Sequence, residues 1–431
     1  MNTVRVYTVS LGCPKNQVDT EWMLGGFGPG FVNAEAPEGA DVVLINTCGF
    51  IEPAVNESLQ VILDTAQEID SLDPKPLLVV TGCLVNRYGQ DLRLELPEVD
   101  LFLEISRQRE LGDHVRRMLN RDISVLESRL LTSAPSFAYL KIAEGCNNRC
   151  RFCTIPGIRG PLRSRPMNDI LEDARRCLDQ GRQELVLIAQ DVTAYGRDLD
   201  DKQTLIPLLE KLAVLPGLTW LRLMYLYPAG LDRNLLSFLA DLGTPFIPYF
   251  DIPLQHAHPE ILASMGRPFS RDPREVIAGV REFFPDAALR TTFIVGYPGE
   301  TERHFAALET FVRETRFTHL GVFPYYAEDG SVAATMPDQL PDEVKEMRRD
   351  RIMQLQSEIS AETLRRHEGK ELDILVDREN GEWPGLYEGR AWFQAPEVDG
   401  VTYVSGEEVG TGRMVRAVIE ETKTYDLVAL A

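Results

Sequence analysis

The chain has no apolar run near the ~20 residues that a helix needs to cross a bilayer, so no membrane-spanning helix is expected. Its first residues, MNTVRVYTVSLG, lack the positive flank and long apolar core of a secretory signal, and we expect a cytoplasmic protein with no membrane partner. Basic residues are in deficit: 45 Lys and Arg stand against 66 Asp and Glu in 431 residues, a net charge of −21. A nucleic-acid binder usually carries a basic patch, because neutralising phosphates supplies most of its affinity. An acidic surface attracts cations or basic proteins instead, although simple solubility is the bland account of the same excess. Low-complexity segments and clear internal repeats are absent. Cysteine is sparse as well, with seven residues at positions 13, 48, 83, 146, 150, 153 and 177. In a reducing compartment such a set points to metal or redox chemistry before disulfides.

What is present reads as an α/β protein in three parts. In the first part, VRVYTVS (4–10), DVVLINTCGF (41–50) and PLLVVTGC (76–83) are apolar, β-branched runs of the kind found in buried parallel strands. Between the last two, residues 53–70 carry Val55, Leu59, Ile62, Leu63 and Ile69 at helical spacing, which predicts a βαβ unit and an open parallel sheet. From about 135 to 335 six more strand candidates alternate with helical patterns: SFAYLKIAEG, ELVLIAQDV, LTWLRLMYLYP, YFDIPLQH, LRTTFIVGYPGE and THLGVFPYYAEDG. Six such units predict a complete or partial parallel barrel, whose chemistry belongs at the carboxyl ends of the strands. Residues 341–367 predict a long charged helix with Val344, Met347, Ile352, Leu355 and Ile359 as its apolar stripe. After Gly369, short β-rich runs separated by glycine predict a small antiparallel barrel of about five strands.

Six cysteines fall into two trios. Cys13, Cys48 and Cys83 each lie at or just past the end of a predicted parallel strand, 35 residues apart and each beside a glycine. Strand ends of an open α/β sheet line the crevice where ligands bind, so three thiols can meet there. Ordinary burial of a small residue is the competing account of any one of them. Cys146, Cys150 and Cys153 have the spacing Cx3Cx2C on a loop after the strand AYLKIAEG, with no fourth cysteine close behind. Structural zinc would want a fourth protein ligand. A 4Fe-4S cluster on three thiolates leaves one iron open, and this spacing at the first loop of a βα barrel points to radical chemistry on S-adenosylmethionine.

The arrangement resembles the radical S-adenosylmethionine methylthiotransferases over essentially the whole chain. The resemblance implies a methylthiotransferase N-terminal domain over 1–120, a radical SAM core with its C-terminal helix over 132–367, and a TRAM domain over 368–431. It implies two 4Fe-4S clusters, one on Cys13, Cys48 and Cys83 that carries the transferred sulfur. The other, on Cys146, Cys150 and Cys153, binds S-adenosylmethionine and releases a 5′-deoxyadenosyl radical. TFIVGYPGE (292–300) is similar to the family's motif along the adenine, with Gly296 and Gly299 allowing close backbone approach. LIAQDVTAYG (187–196) would place Gln190 and Asp191 at the cofactor's amino end. His256, in IPLQH, is expected as a hydrogen-bonded pocket wall. Arg159, Arg163 and Arg165 follow the cysteine loop and would offset its negative charge or lie in solvent. Cys177 matches no motif and is expected in packing.

Two branches of the family differ in substrate. One modifies isopentenyl-adenosine in transfer RNA, and the other the β-carbon of an aspartate in small-ribosomal-subunit protein S-twelve. SLGCPKNQVDTEWMLG (10–25) and LYEGRAWFQAPEVDGVTYV (386–404) are similar to the protein-modifying branch. Residues 368–431 hold fourteen Asp or Glu against six Lys or Arg, which repels phosphate and attracts a basic ribosomal protein. We therefore expect a protein substrate, no direct nucleic-acid substrate, an electron donor such as flavodoxin or ferredoxin, and a sulfur donor. A non-catalytic metal-binding adaptor is the reading from another class.

Overall fold

The computed structural model describes residues 3–123, 125–126, 128–199, 203–267 and 272–431. They group into two compact units. The first comprises Met1–Thr132 with Gly145–Asn147 and Thr154–Pro161; the second comprises Ser133–Glu144, Asn148–Cys153 and Leu162–Ala431.

In the first unit the apolar runs become the parallel strands Val4–Ser10, Val42–Thr47 and Leu77–Gly82, flanked by short edge strands Phe31–Asn33 and Leu101–Leu103. Val42–Thr47 is buried at every position because helices cover both faces. Val43 and Ile45 join the core on one face, while Val42 and Leu44 join it on the other. The sheet order runs Phe31–Asn33, Val4–Ser10, Val42–Thr47, Leu77–Gly82, Leu101–Leu103. The chain therefore reverses its direction of winding between Val4–Ser10 and Val42–Thr47, and a crevice opens at the carboxyl ends of those two strands. The helix Glu52–Asp70 forms as expected, but its buried stripe is Ser58, Ile62, Thr65, Ala66 and Ile69. Leu63 faces solvent, 47% exposed, because the face set by Ile62 and Ala66 leaves it turned away from the sheet.

The second unit holds six parallel strands in sequence order: Phe137–Lys141, Glu184–Ile188, Trp220–Leu223, Phe246–Asp251, Ala288–Val295 and His319–Pro324. The sheet does not close, so the barrel is partial. The helix Asp342–Arg365 packs behind it on Ile352, Leu355, Ile359 and Leu364. Its first turns depart from the expected stripe: Met347 is 49% exposed, and the buried positions there are Lys345 and Arg348. Arg348 is drawn inward by Glu300, whose carboxylate accepts its Nη1–H at 2.7 Å.

The chain ends in a closed barrel of Glu371–Glu379, Leu386–Arg390, Thr402–Ser405, Leu427–Leu430 and Met414–Thr422, in that spatial order. Four neighbouring pairs are antiparallel and one, Thr402–Ser405 with Leu427–Leu430, is parallel. Strict alternation around a ring needs an even number of strands, so five strands force one parallel pair. The segment Arg390–Asp399 leaves this barrel and meets all six strands of the partial barrel. Arg390 donates to Glu184 (2.6 Å), and Arg222 donates to the Trp392 carbonyl (3.0 Å). Tyr139 donates to the Pro396 carbonyl, Tyr249 and Arg290 to Asp399, and His319 Nε2 lies 2.6 Å from the Phe393 carbonyl. Most of these groups are buried, and Glu184 and His319 stand at the first residues of their strands.

Candidate functional site

In the first unit Cys13, Cys48 and Cys83 come together at the strand ends. Cys13 is the N-cap of the helix Pro14–Gly25, and Cys83 opens the helix Cys83–Glu95, so both sit at helix amino termini. Gly12 has φ +92°, and a Cβ there would lie 2.8 Å from Cys48 Cβ and 3.1 Å from its sulfur. Only glycine lets that loop close on Cys48. Asn16 ties the strand ends: its side-chain N–H groups donate to the Leu11 carbonyl (2.8 Å) and the Thr47 carbonyl (3.0 Å).

Burial pushes the Cys48 thiol up to about 11, and negative charge on Cys83 and Cys13 pushes the same way, while Arg159 opposes. Cys83 is raised by burial too, again opposed by Arg159. Three sulfurs gathered at these strand ends, Cys83 buried and the other two partly accessible, form a donor set suited to a cation or a cluster. Sulfur donors of this number fit iron-sulfur chemistry. Arg159 closes the corner, donating from Nε to Cys83 Sγ at 3.3 Å.

Of the Cx3Cx2C cysteines, Cys146 falls in the first unit and Cys150 and Cys153 in the second. In the first, the Cys146 N–H donates to the Gly160 carbonyl at 3.1 Å. In the second, Cys150 and Cys153 share one turn, with the Cys153 N–H donating to the Cys150 carbonyl at 3.1 Å. Phe152 anchors that turn on Ile261, Leu262, Met265, Tyr297, Tyr325 and Ala333. Arg151 is pinned on both sides, by its N–H to the Met265 carbonyl and its carbonyl to the Ala333 N–H, each 2.9 Å. All three thiols of this loop are partly accessible. Arg267 supplies a cation here, its Nη1 donating to Cys150 Sγ at 3.6 Å.

Around this turn the loops of the second unit open at the carboxyl ends of the strands. Asp191 accepts from Asn148 Nδ2 (2.9 Å) and from Thr193 Oγ1 (2.6 Å), so it orients the cysteine loop. Gln190 Nε2 donates to Glu144 (3.1 Å), while its buried Oε1 has no hydrogen-bond partner among the described residues. A buried acceptor left open in this way fits a donor such as an ammonium group. Gly296 has φ +72°, its N–H donates to Glu300 at 3.0 Å, and a Cβ there would meet the Lys345 side chain at 2.3 Å. Gly299 has φ +80° with open space where a Cβ would point. His256 is fully buried, accepts the His258 N–H on Nδ1 and sits 3.5 Å from Glu300, which makes it a wall of this turn.

The three arginines after the cysteine loop part company. Arg159 serves the first trio, Arg165 pairs with Asp173 at 2.9 Å, and Arg163 is exposed. Of the two expectations for them, offsetting charge or lying in solvent, exposed Arg163 fits the second; an arginine that reaches a sulfur of their own loop is Arg267, over a hundred positions on. No signal in MGRPFS separated Arg267 from any surface arginine. Cys177 is buried in the helix Met167–Asp179.

Comparison with known proteins adds a second line. Residues 5–104 match the Uncharacterized protein family UPF0004, residues 140–312 the Radical SAM superfamily, and residues 369–431 the TRAM domain. The chain is 57% identical over 99% of its length to the ribosomal protein uS12 methylthiotransferase RimO of Nitratidesulfovibrio vulgaris (Hildenborough), covering 100% of that protein. The RimO proteins of Oleidesulfovibrio alaskensis (54%, 99% of this chain and 100% of that protein) and Aquifex aeolicus (41%, 98% and 96%) are similar throughout. Among solved structures, the radical S-adenosylmethionine methyltransferase TsrM of Kitasatospora setae, with tryptophan and a SAM analogue, matches with TM-score 0.55 at 14% identity. It covers 75% of this chain and 73% of that one, a likeness of fold alone.

Proposed function

The chain belongs to the ribosomal protein methylthiotransferase family of radical S-adenosylmethionine enzymes, and on that premise we propose how its residues divide the reaction. The reaction replaces a hydrogen on the β-carbon of an aspartate in small-ribosomal-subunit protein S-twelve with a methylthio group. A 4Fe-4S cluster bound by three of the thiols together with S-adenosylmethionine would supply the radical chemistry needed to take hydrogen from an unactivated carbon.

Cys146, Cys150 and Cys153 hold that cluster. Arg267 donates to Cys150 and offsets the charge gathered on the thiolates. Asp191 fixes the loop through Asn148, and Gln190 Oε1 accepts from the ammonium group of S-adenosylmethionine. The turn Gly296–Gly299, with positive φ at both glycines, would allow the backbone to approach the adenine closely. Cys13, Cys48 and Cys83 would hold a second 4Fe-4S cluster, which would supply the sulfur chemistry. Flavodoxin or ferredoxin supplies electrons and a separate donor replaces the sulfur. The acidic C-terminal barrel holds the basic substrate.

One observation supports this division: three thiols converge where the first sheet changes its winding. Mass spectrometry of ribosomal proteins from a strain lacking this gene tests the whole reading. The methylthio increment on S-twelve should vanish while transfer-RNA modification stays intact; loss of the transfer-RNA mark instead would overturn the substrate.

A further inference from the structure

Arg159 lies six residues after Cys153 in the chain, yet its guanidinium ends on a sulfur of the other trio. Its side chain is 1% exposed, and each nitrogen has its own partner. Nε donates to Cys83 Sγ at 3.3 Å, Nη1 to Asp19 Oδ2 at 3.3 Å, and Nη2 to Asn16 Oδ1 at 2.5 Å. Asn16 is held by the Leu11 and Thr47 carbonyls, and its own carbonyl accepts from Asn46 Nδ2 at 2.8 Å. The residue that ties the ends of the strands leading to Cys13 and Cys48 thus also aims the guanidinium at Cys83.

Packing alone explains little of this. An arginine needed for an ion pair could settle on Asp19, which lies on the neighbouring helix Pro14–Gly25. Instead the fork is spread so that one N–H points at sulfur, and the planar guanidinium, once fixed by two oxygens, has no freedom to turn away. Hydrogen bonds to cluster sulfurs and nearby net charge are the levers by which a protein sets the potential of an iron-sulfur centre.

We propose that Arg159 is a positioning residue that raises the reduction potential of the cluster on Cys13, Cys48 and Cys83, with Asp19 as the counter-charge that limits the rise. The proposal rests on the reading that this trio holds a 4Fe-4S cluster. A buried cation 3.3 Å from a ligand sulfur stabilises the more negative, reduced state, and Asp19 reduces that effect.

The experiment isolates this centre in the full chain by changing Cys146, Cys150 and Cys153 to alanine, then reconstituting with iron and sulfide. Redox titration followed by electron paramagnetic resonance reads its midpoint potential. Arg159→Gln should shift the oxidised-to-reduced balance at least tenfold toward oxidised, which is 59 mV for one electron. Arg159→Lys keeps the charge and should recover part of the shift, and Asp19→Asn should move the potential the other way. An unchanged potential in Arg159→Gln, or a fall in Asp19→Asn, overturns the role of Arg159. Should the triple-alanine chain hold no iron, the ligand reading beneath it fails instead.

Discussion

Cys48 and Cys150 stand for the two thiol sites, and replacing each should fail differently. On the proposed reading Cys150→Ala takes a cluster ligand from the Cx3Cx2C loop, so 5′-deoxyadenosine formation under reducing, oxygen-free conditions should drop to background. Cys48→Ala leaves that loop intact, so cleavage should persist while S-twelve gains no methylthio group; product from Cys48→Ala would end the division of labour. Gln190 gives a graded case. On the proposed reading its open Oε1 would accept one hydrogen bond from a charged donor of the cofactor, worth about 1.5–3 kcal/mol. Gln190→Ala should therefore weaken S-adenosylmethionine binding on the order of tenfold to a hundredfold in equilibrium dialysis, with the cluster content unchanged. The cysteines were legible because their spacing and strand-end places are sequence properties. The arginines were not: whether a guanidinium meets solvent, a carboxylate or a sulfur depends on folding, and Arg159, Arg163 and Arg165 look alike until it is complete.

At the scale of elements, parallel strands were readable because burial on both faces writes them as unbroken apolar runs. Phe31–Asn33 and Leu101–Leu103 were not, since three residues are too few for any periodicity to appear. Met347 misled for another reason: at the start of its helix the pull of Glu300 on Arg348 outweighs apolar spacing. The segment Arg390–Asp399 read as part of the last barrel but works as a plug under the partial barrel. Its centre is Glu184, which accepts from Arg222 and from Arg390, both at 2.6 Å. Burial alone would raise the Glu184 carboxyl, yet the two guanidiniums hold it below the usual carboxylate range. That sign makes the pair stabilising above the unfolded carboxyl's range near 4.5 and progressively lost as pH falls below it. Glu184→Gln takes the carboxylate from buried Arg222 and leaves Arg390 with Asp377 alone, a loss of about 3–5 kcal/mol. The variant should unfold at clearly lower temperature than the parent at neutral pH, and the gap should narrow toward pH 4; equal melting at neutral pH would mean the plug does not hold the fold.

For the whole molecule the deciding quantity is charge. At −21 the chain repels phosphate and draws a basic protein from beyond contact distance, an effect screened over about 10 Å at 0.1 M salt. Such attraction speeds encounter and leaves the chemistry untouched. With purified S-twelve as substrate, kcat/KM should therefore fall on the order of tenfold between low and moderately high salt, while kcat stays level. Neutralising Glu371, Asp373, Glu379 and Glu382 on the last barrel to their amides should flatten that dependence if this barrel provides the attraction. All four lie on or beside Glu371–Glu379, away from the plug that joins the barrels, so stability should not change with them. A salt-independent kcat/KM would mean that recognition is made by short-range fit alone, and the acidic barrel would then have no part in finding the substrate.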